Sequence, residues 1–152
     1  ISLYSSIAKL PSSPLRGEGQ FFTGECYETM ALKATGGQSG QLFEKAFLAY
    51  EKVYKQFPDS GRVGDAVAKM AAFYYKKEDY ARAIDVFENV LADHPDANFL
   101  DVILFSYGRC LYKLNRKPEA RRKFEQLIND YPESEIASEA NKIVEALKKA
   151  GF

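Results

Sequence analysis

Histidine, cysteine and tryptophan are scarce in this chain of 152 residues, which contains one histidine, two cysteines and no tryptophan. Cys26 and Cys110 lack the CxxC spacing of a metal or redox motif, and only His94 is available beside them, whereas a structural zinc site normally takes four ligands. Two cysteines are also too few for a disulfide framework. We therefore expect no metal site, and we interpret both cysteines as small core residues.

An excess of charge of either sign is also absent, because lysine plus arginine and aspartate plus glutamate each number 21. A formal net charge of zero argues against nucleic-acid binding through bulk charge. No apolar run approaches the roughly 18 residues that a membrane span needs, so we expect no direct membrane insertion. No signal peptide is visible and the chain begins at Ile1, which suggests a processed or excised piece.

Catalytic and phosphate-binding motifs are missing as well. The glycine-rich stretch TGGQSGQ, residues 35–41, lacks the GK[ST] ending of a P-loop and follows a predicted helix instead of a strand. The sequence contains no HExxH, GxSxG or EF-hand pattern. We therefore predict no catalytic residue and no cofactor. An enzyme or a small-ligand-binding protein stays a remote alternative, which would require a deep pocket with converging polar groups.

A repeat of 37 residues is the dominant feature that the sequence does contain. Pro58, Pro95 and Pro132 are spaced by 37, and a similar phrase precedes each one, as in KAFLAYEKVYKQFP and RAIDVFENVLADHP. In each phrase an alanine is followed by an aromatic residue four positions later and an aliphatic residue seven positions later, which is one face of an α-helix that the proline ends. These positions are Ala46, Ala83 and Ala120, then Tyr50, Phe87 and Phe124, and then Val53, Val90 and Leu127.

A second helix precedes each of these, marked by a small residue thirteen positions after a proline. The small residues are Gly24, Ala71 and Gly108, where close approach of two helices is expected. The first repeat is ten residues longer, because Pro11 lies 47 before the next matching proline. The extra residues fall between the two helices, where TGGQSGQ stands. We expect them to lengthen both helices by about a turn before the glycines reverse the chain.

The pattern resembles the tetratricopeptide repeat family, through the small residue, the helix-B alanine, the aromatic residue four later and the closing proline. The family's tryptophan is replaced by Gln20, Val67 and Leu104. The longer repeats and the "yP.S" endings are most similar to bacterial envelope members, such as the periplasmic Tol-Pal-associated coordinator proteins and the lipoprotein of the outer-membrane barrel-assembly machinery. We therefore favour a periplasmic or outer-membrane-associated protein, with a cytoplasmic location as the alternative.

The resemblance implies an all-α fold, a right-handed superhelical array of antiparallel helical hairpins that forms one domain over residues 1–152. A capping helix is expected at the C-terminal end, because its apolar stripe runs through Ile136, Ala140, Val144 and Leu147 while Glu145 takes the place of the small residue. The expected parts are a half repeat at 1–11, a repeat at 12–58 with the insertion near 32–41, repeats at 59–95 and 96–132, and the cap at 133–152.

In this family the concave face, lined mainly by the first helix of each repeat, binds extended peptides or a helix of a partner. When the family's groove positions are transferred to this sequence, the resemblance implies a groove that is acidic at the first repeat and basic and aromatic at the third. The alternative is an ordinary solvated groove that binds no partner. The predicted partner-binding residues are Tyr75, Lys76, Phe105, Arg109, Tyr112, Lys113, Glu25 and Glu28.

The lengthened hairpin offers a possible second contact site, because apolar residues near its end would need cover from each other or from a partner. These residues are Met30, Leu32, Leu42 and Phe43. We therefore predict a non-catalytic module that binds a protein or peptide partner. The alternative is a self-assembling, homo-oligomeric scaffold that associates through the capped end or through the apolar face of an N-terminal helix that lacks its covering partner.

Overall fold

The computed structural model describes residues 1–10 and 13–152, so the expected break at Pro11 lies outside the described residues. Within those ranges the chain is all-α, with eight helices packed as sequential antiparallel pairs, as the repeat pattern predicts. Two compact units are present, Ile1–Phe73 and Tyr74–Phe152. The helices are α1 (Ser2–Lys9), α2 (Arg16–Lys33), α3 (Gly37–Gln56), α4 (Val63–Lys76), α5 (Tyr80–Asp93), α6 (Leu100–Lys113), α7 (Lys117–Asp130) and α8 (Ala137–Lys149).

Close contact between the two helices of a hairpin explains the small residues of the repeat. In the first unit, a Cβ added at Gly24 of α2 would lie 2.6 Å from Cε1 of Tyr50 on α3. In the second unit, a Cβ added at Gly108 of α6 would lie 2.7 Å from Cζ of Phe124 on α7. Both rings are buried, so the two glycines let an aromatic side chain pack directly on the neighbouring helix.

The ten extra residues of the first hairpin are all helical. Helices α6 and α7 have 14 residues each, whereas α2 has 18 and α3 has 20, and a three-residue connection joins each pair. The expected lengthening of both helices is therefore confirmed. Only the start of the glycine-rich stretch lies in the connection: residues 37–41 form the first turn of α3, and Gly36 before them has a positive φ of +64°.

One side-chain hydrogen bond ties the glycine-rich start of α3 to α2. The Ser39 hydroxyl donates a hydrogen bond to the carbonyl oxygen of Ala31 at 2.8 Å, and Ala31 is buried. Helix stability in a folded protein comes mainly from such tertiary contacts, which can outweigh the low helix propensity of glycine.

Helix α1 packs against α2 as a second helix of a hairpin would. A Cβ at Gly19 of α2 would lie 2.8 Å from the carbonyl oxygen of Tyr4, and the rings of Tyr4 and Phe22 are 5.3 Å apart. Leu3 stands at the repeat position of the buried Phe87, yet 68% of it is exposed. This agrees with the expectation of a helix whose apolar face is uncovered.

Helix α8 packs on α7 through the apolar stripe that its residue spacing predicts. The buried residues are Ala137, Ala140, Val144 and Leu147, while Ile136 is half-buried and precedes the helix. The chain then turns at Gly151, whose φ is +86°, and the amide of Phe152 donates to the carbonyl oxygen of Leu147 at 3.0 Å. This left-handed ending folds Phe152 back beside the helix.

The two cysteines differ in environment. Cys110 on α6 is buried, and this burial raises the pKa of its thiol to about 11. Cys26 on α2 is only half-buried, so the prediction of two core cysteines is wrong for Cys26. Both cysteines are free thiols.

Candidate functional site

A cavity of about 530 Å³ lies within the second unit, between residues of α6, α7 and α8 and the end of α4. Its walls combine cationic, aromatic and aliphatic side chains. We call it the basic cavity, and it is lined by Tyr75, Arg109, Tyr112, Lys113, Lys117, Phe124, Ile143, Ala146, Leu147, Ala150 and Phe152.

The structure brings together four of the predicted groove residues, one from the second repeat and three from the third. Four line the cavity, namely Tyr75, Arg109, Tyr112 and Lys113. Phe105 does not, because its ring packs edge-on against Phe124 at 5.5 Å and is half-buried. Lys76 is exposed at the end of α4 and does not line the cavity either.

Arg109 and Tyr75 are in contact with each other in the lining of the cavity. The guanidinium carbon of Arg109 lies 4.9 Å from the centre of the Tyr75 ring, and its Nη2 is 3.4 Å from the Tyr75 hydroxyl. The ring of Tyr80 meets Tyr75 edge-on at 5.1 Å. A cation held over an aromatic face keeps its charge available at the mouth of the cavity while its side chain stays ordered.

The cations of the cavity have no carboxylate partner within residues 1–10 and 13–152. Arg109, Lys113 and Lys117 form no ion pair in that part of the chain, and no acidic residue is among the described lining residues. The nearby acid Glu119 is bound by Arg116 through two hydrogen bonds of 2.8 and 2.6 Å, and this contact lowers the pKa of its carboxyl. The cavity is therefore positive and can attract an anionic group.

The opposite part of the lining is apolar and comes from α7, α8 and the turn that follows. Phe124 and Leu147 are buried, while Ile143 and Phe152 are half-exposed. The Lys117 ammonium lies 4.5 Å from the centre of the Phe152 ring, and Arg121 donates to the carbonyl oxygen of Phe152. These contacts hold the folded-back Phe152 as one wall of the cavity.

Sequence patterns missed this apolar wall. Lys117, Ile143 and Phe152 fall outside the groove positions of the repeat, and α8 was interpreted only as a cap. The sequence did contain a signal, because Ile143, Ala146 and Ala150 are spaced by three and four residues and so lie on one face of α8. That spacing continues an apolar surface beyond the buried stripe.

A comparison with protein families identifies the relationship of this chain. The family described as YfiO, outer membrane lipoprotein, matches residues 32–150, which include the last two residues of α2, all of α3 and the second unit as far as Ala150. The chain belongs to this outer membrane lipoprotein family. None of the curated proteins matches it. The family match confirms the resemblance to envelope repeat proteins and agrees with its lipoprotein member.

In the first unit of this YfiO-family chain, the predicted acidic residue Glu28 is already engaged. Its Oε2 accepts hydrogen bonds from the Tyr50 hydroxyl and from the Lys69 ammonium, each at 2.7 Å. Burial and the hydrogen bond to Glu28 together raise the pKa of Tyr50. Glu28 therefore ties α2 to two other helices of the unit, and its charge is neutralised within the fold.

The second predicted acidic residue, Glu25, lines a smaller cavity of about 370 Å³ in the first unit. Arg62 covers part of the same cavity, with its guanidinium carbon 5.4 Å from the ring centre of Phe21 and 5.1 Å from that of Phe22. Arg62 also pairs with Asp65 at 3.0 Å. Charges of both signs meet here, so this cavity has no excess of one sign to select a ligand.

The end of the lengthened hairpin exposes apolar side chains. Leu32 is 70% and Met30 46% exposed, whereas Leu42 and Phe43 are half-buried. Leu48 on α3 is 58% exposed and was missed, because it follows a buried phenylalanine and lies off the repeat's core face. The YfiO-family match begins at residue 32 and includes this end of the hairpin.

Two features are absent from the part of the YfiO-family chain that the structure describes. No three histidine, cysteine, aspartate or glutamate side chains among residues 1–10 and 13–152 are grouped so that they could hold a metal ion. In the same part of the chain, every helix is too short or too polar to cross a bilayer.

Proposed function

We propose that this protein is a non-catalytic interaction module of bacterial envelope protein assembly, and that the basic cavity of its second unit binds a segment of a partner protein. Membership of the outer membrane lipoprotein family supports the role in the envelope. The helical-repeat fold supports binding on a pre-formed surface, because such folds present side chains from successive helices without a conformational change.

The observation that carries the proposal is the group of Arg109, Lys113 and Lys117 on one cavity without a carboxylate partner in the described chain. Tyr75 and Tyr112 stand beside these cations, and 48% of Tyr112 is exposed. Arginine and tyrosine are the residue types that most often dominate binding energy at interfaces. An acidic segment that seals the cavity would gain charge-assisted hydrogen bonds and bury aromatic surface.

The test is a double substitution, Arg109→Glu with Tyr112→Ala, in the full chain. Wild-type and variant proteins are immobilised and incubated with an envelope extract, and the captured proteins are quantified by mass spectrometry. Loss of two interface anchors is expected to weaken capture of the specific partner by at least about tenfold. Both side chains are exposed, so helicity by circular dichroism is expected to stay unchanged.

The matched control is Lys142→Glu, which reverses an exposed charge on α8 away from the cavity lining. Capture by this control is expected to equal that of the wild type. If the double variant retains the same proteins in the same amounts as the wild type, the basic cavity is not the binding site.

The end of the lengthened hairpin is proposed as a second contact, supported by the exposure of Leu32 and Met30. Deleting residues 30–33 and 37–42, with the connection at 34–36 kept, shortens α2 and α3 to the 14 residues of the helices in the other hairpins. The fold is expected to survive, because the core glycine–tyrosine contact of this hairpin lies outside the deletion. Loss of a captured protein with unchanged thermal unfolding would assign that contact to the hairpin, whereas unchanged capture would remove it.

Self-association is a second candidate function, favoured by the exposed apolar residues at the N-terminal end. Leu3, Leu10 and Leu15 are each at least half exposed. Light scattering over a range of protein concentrations separates the two functions. A mass that rises with concentration and returns to that of the monomer with Leu3→Glu supports self-association. A strict monomer at high concentration excludes it.

A further inference from the structure

We infer that the basic cavity selects a partner segment that combines a carboxylate side chain with a bulky apolar side chain. A segment that offers only one of these two side chains binds weakly. This inference rests on the proposed function and specifies its ligand. It follows from the composition of the lining, in which cationic and apolar residues share one cavity.

The cationic residues come from α6 and the start of α7, and the apolar residues come from α7, α8 and the turn after α8. Lys117 belongs to both parts, because its ammonium lies 4.5 Å from the Phe152 ring centre. A segment that reaches the cations therefore also reaches the apolar wall. The volume of about 530 Å³ is within the range that encloses a whole small ligand, so it accommodates more than one side chain.

An apolar segment without an acid fits this lining poorly. It would remove Arg109, Lys113 and Lys117 from water without giving them a partner, and burying an unpaired charge is unfavourable. Two carboxylates of α7 that could otherwise pair with these cations already have other partners. Glu119 is bound by Arg116, and Oε1 of Glu125 lies 3.5 Å from Nε of Arg121.

An acidic segment without a bulky apolar residue also fits poorly. It would pair with the cations but leave Ile143, Phe152 and Tyr112 in contact with water. Exposed ion pairs contribute little binding energy, whereas a pair that an apolar side chain shields from water contributes more. The two parts of the ligand therefore reinforce each other.

The experiment selects ligands from a library of random heptapeptides displayed on phage, with the immobilised 152-residue chain as the target. Enriched peptides are synthesised and their affinities are measured by fluorescence polarisation. We expect a consensus with one Asp or Glu and one Phe, Leu, Ile or Met at a fixed spacing.

Two variants separate the two parts of the cavity. Ala146→Trp places a large ring at an exposed lining position of α8, and Arg109→Gln with Lys113→Gln removes two charges. Each is expected to weaken the selected peptides by about tenfold or more. The matched controls are Asn141→Trp and Lys142→Gln, on exposed residues of the same helix that do not line the cavity, and these are expected to bind normally.

The outcomes distinguish this inference from the proposed function. An acidic consensus without apolar preference, or equal binding to Ala146→Trp, would overturn the inference and leave the basic cavity as a partner site. Absence of enriched peptides, or binding that survives the loss of both charges, would contradict the proposed function itself. Binding of dodecanoate or dodecyl phosphate, with no enriched peptide, would replace the partner segment with a lipid amphiphile and overturn both.

Discussion

Replacing Gly108 by alanine tests the close contact that defines the hairpin of the second unit. The added Cβ would lie 2.7, 2.8 and 3.0 Å from Cζ, Cε1 and Cε2 of Phe124. The Phe124 ring is buried and in edge contact with Phe105, but it also lines the basic cavity, so the open space of that cavity limits the cost of a shift of the ring. Distances below 3.0 Å require either the ring or α6 to shift.

Two opposing effects set the magnitude of this change. Alanine favours a helix over glycine by about 0.5–1 kcal/mol. Inserting a methyl group into a packed core costs about 1–3 kcal/mol. The larger effect is the overpacking, so we expect Gly108→Ala to lower the free energy of unfolding by about 1 kcal/mol. For a chain of this size that corresponds to a fall in melting temperature of about 2–4 °C.

Urea unfolding followed by circular dichroism measures the difference, with Gly40→Ala as the control. Gly40 is also helical, but a Cβ there would meet nothing within 4 Å, so this variant is expected to gain up to about 1 kcal/mol. Phe124→Leu is destabilising by itself, yet it should reduce the cost of Gly108→Ala by about 1 kcal/mol because the clashing ring atoms are gone. Stabilisation by both glycine substitutions would refute a tight α6–α7 contact.

Three further predictions follow from the buried polar and thiol groups. Glu28→Ala removes the acceptor of the Tyr50 hydroxyl and should lower the free energy of unfolding by about 1–3 kcal/mol in urea titrations, whereas a loss below about 0.5 kcal/mol would show that the contact is dispensable. Burial and a carboxylate acceptor raise the pKa of Tyr50 and of Tyr107, so the folded state keeps these protons above the ordinary tyrosine pKa of about 10. The free energy of unfolding should therefore not depend on these groups below that pH and should fall above it, and the fall should be shallower for Tyr50→Phe. Cys110, buried and with a raised pKa, should react with a thiol reagent at pH 8 only after unfolding, whereas the half-buried Cys26 should react in the native protein, and equal native rates would contradict the assigned burial.

The fold was largely predictable from the sequence because its information is local and repeated. The 37-residue period places a small residue on one helix and an aromatic residue on the next, and the pairs Gly24–Tyr50 and Gly108–Phe124 do meet. The lengths of the helices also followed from counting residues between these positions. What counting could not predict is that residues 37–41 are helical, because a glycine-rich stretch has low helix propensity.

The candidate site was only partly predictable. Repeat positions brought Tyr75 and Arg109 to one cavity, because both lie at groove positions of the first helix of a repeat. The ion pair between Glu28 and Lys69 was not predicted, since the two residues are 41 positions apart in the sequence. Contacts between residues so far apart depend on how the helices pack, and no periodic pattern encodes them.

The sequence by itself determined the all-α class, the hairpin register and the family resemblance, because these depend on apolar spacing and on proline and glycine at fixed intervals. Only the tertiary structure decided which charged side chains pair with an opposite charge. It neutralised Glu28 and Glu119 through nearby cations, and it left Arg109 beside an apolar wall built by α8 and Phe152. The physical reason is that the electrostatic state of a side chain depends on all neighbours within a few ångströms, whichever part of the chain supplies them.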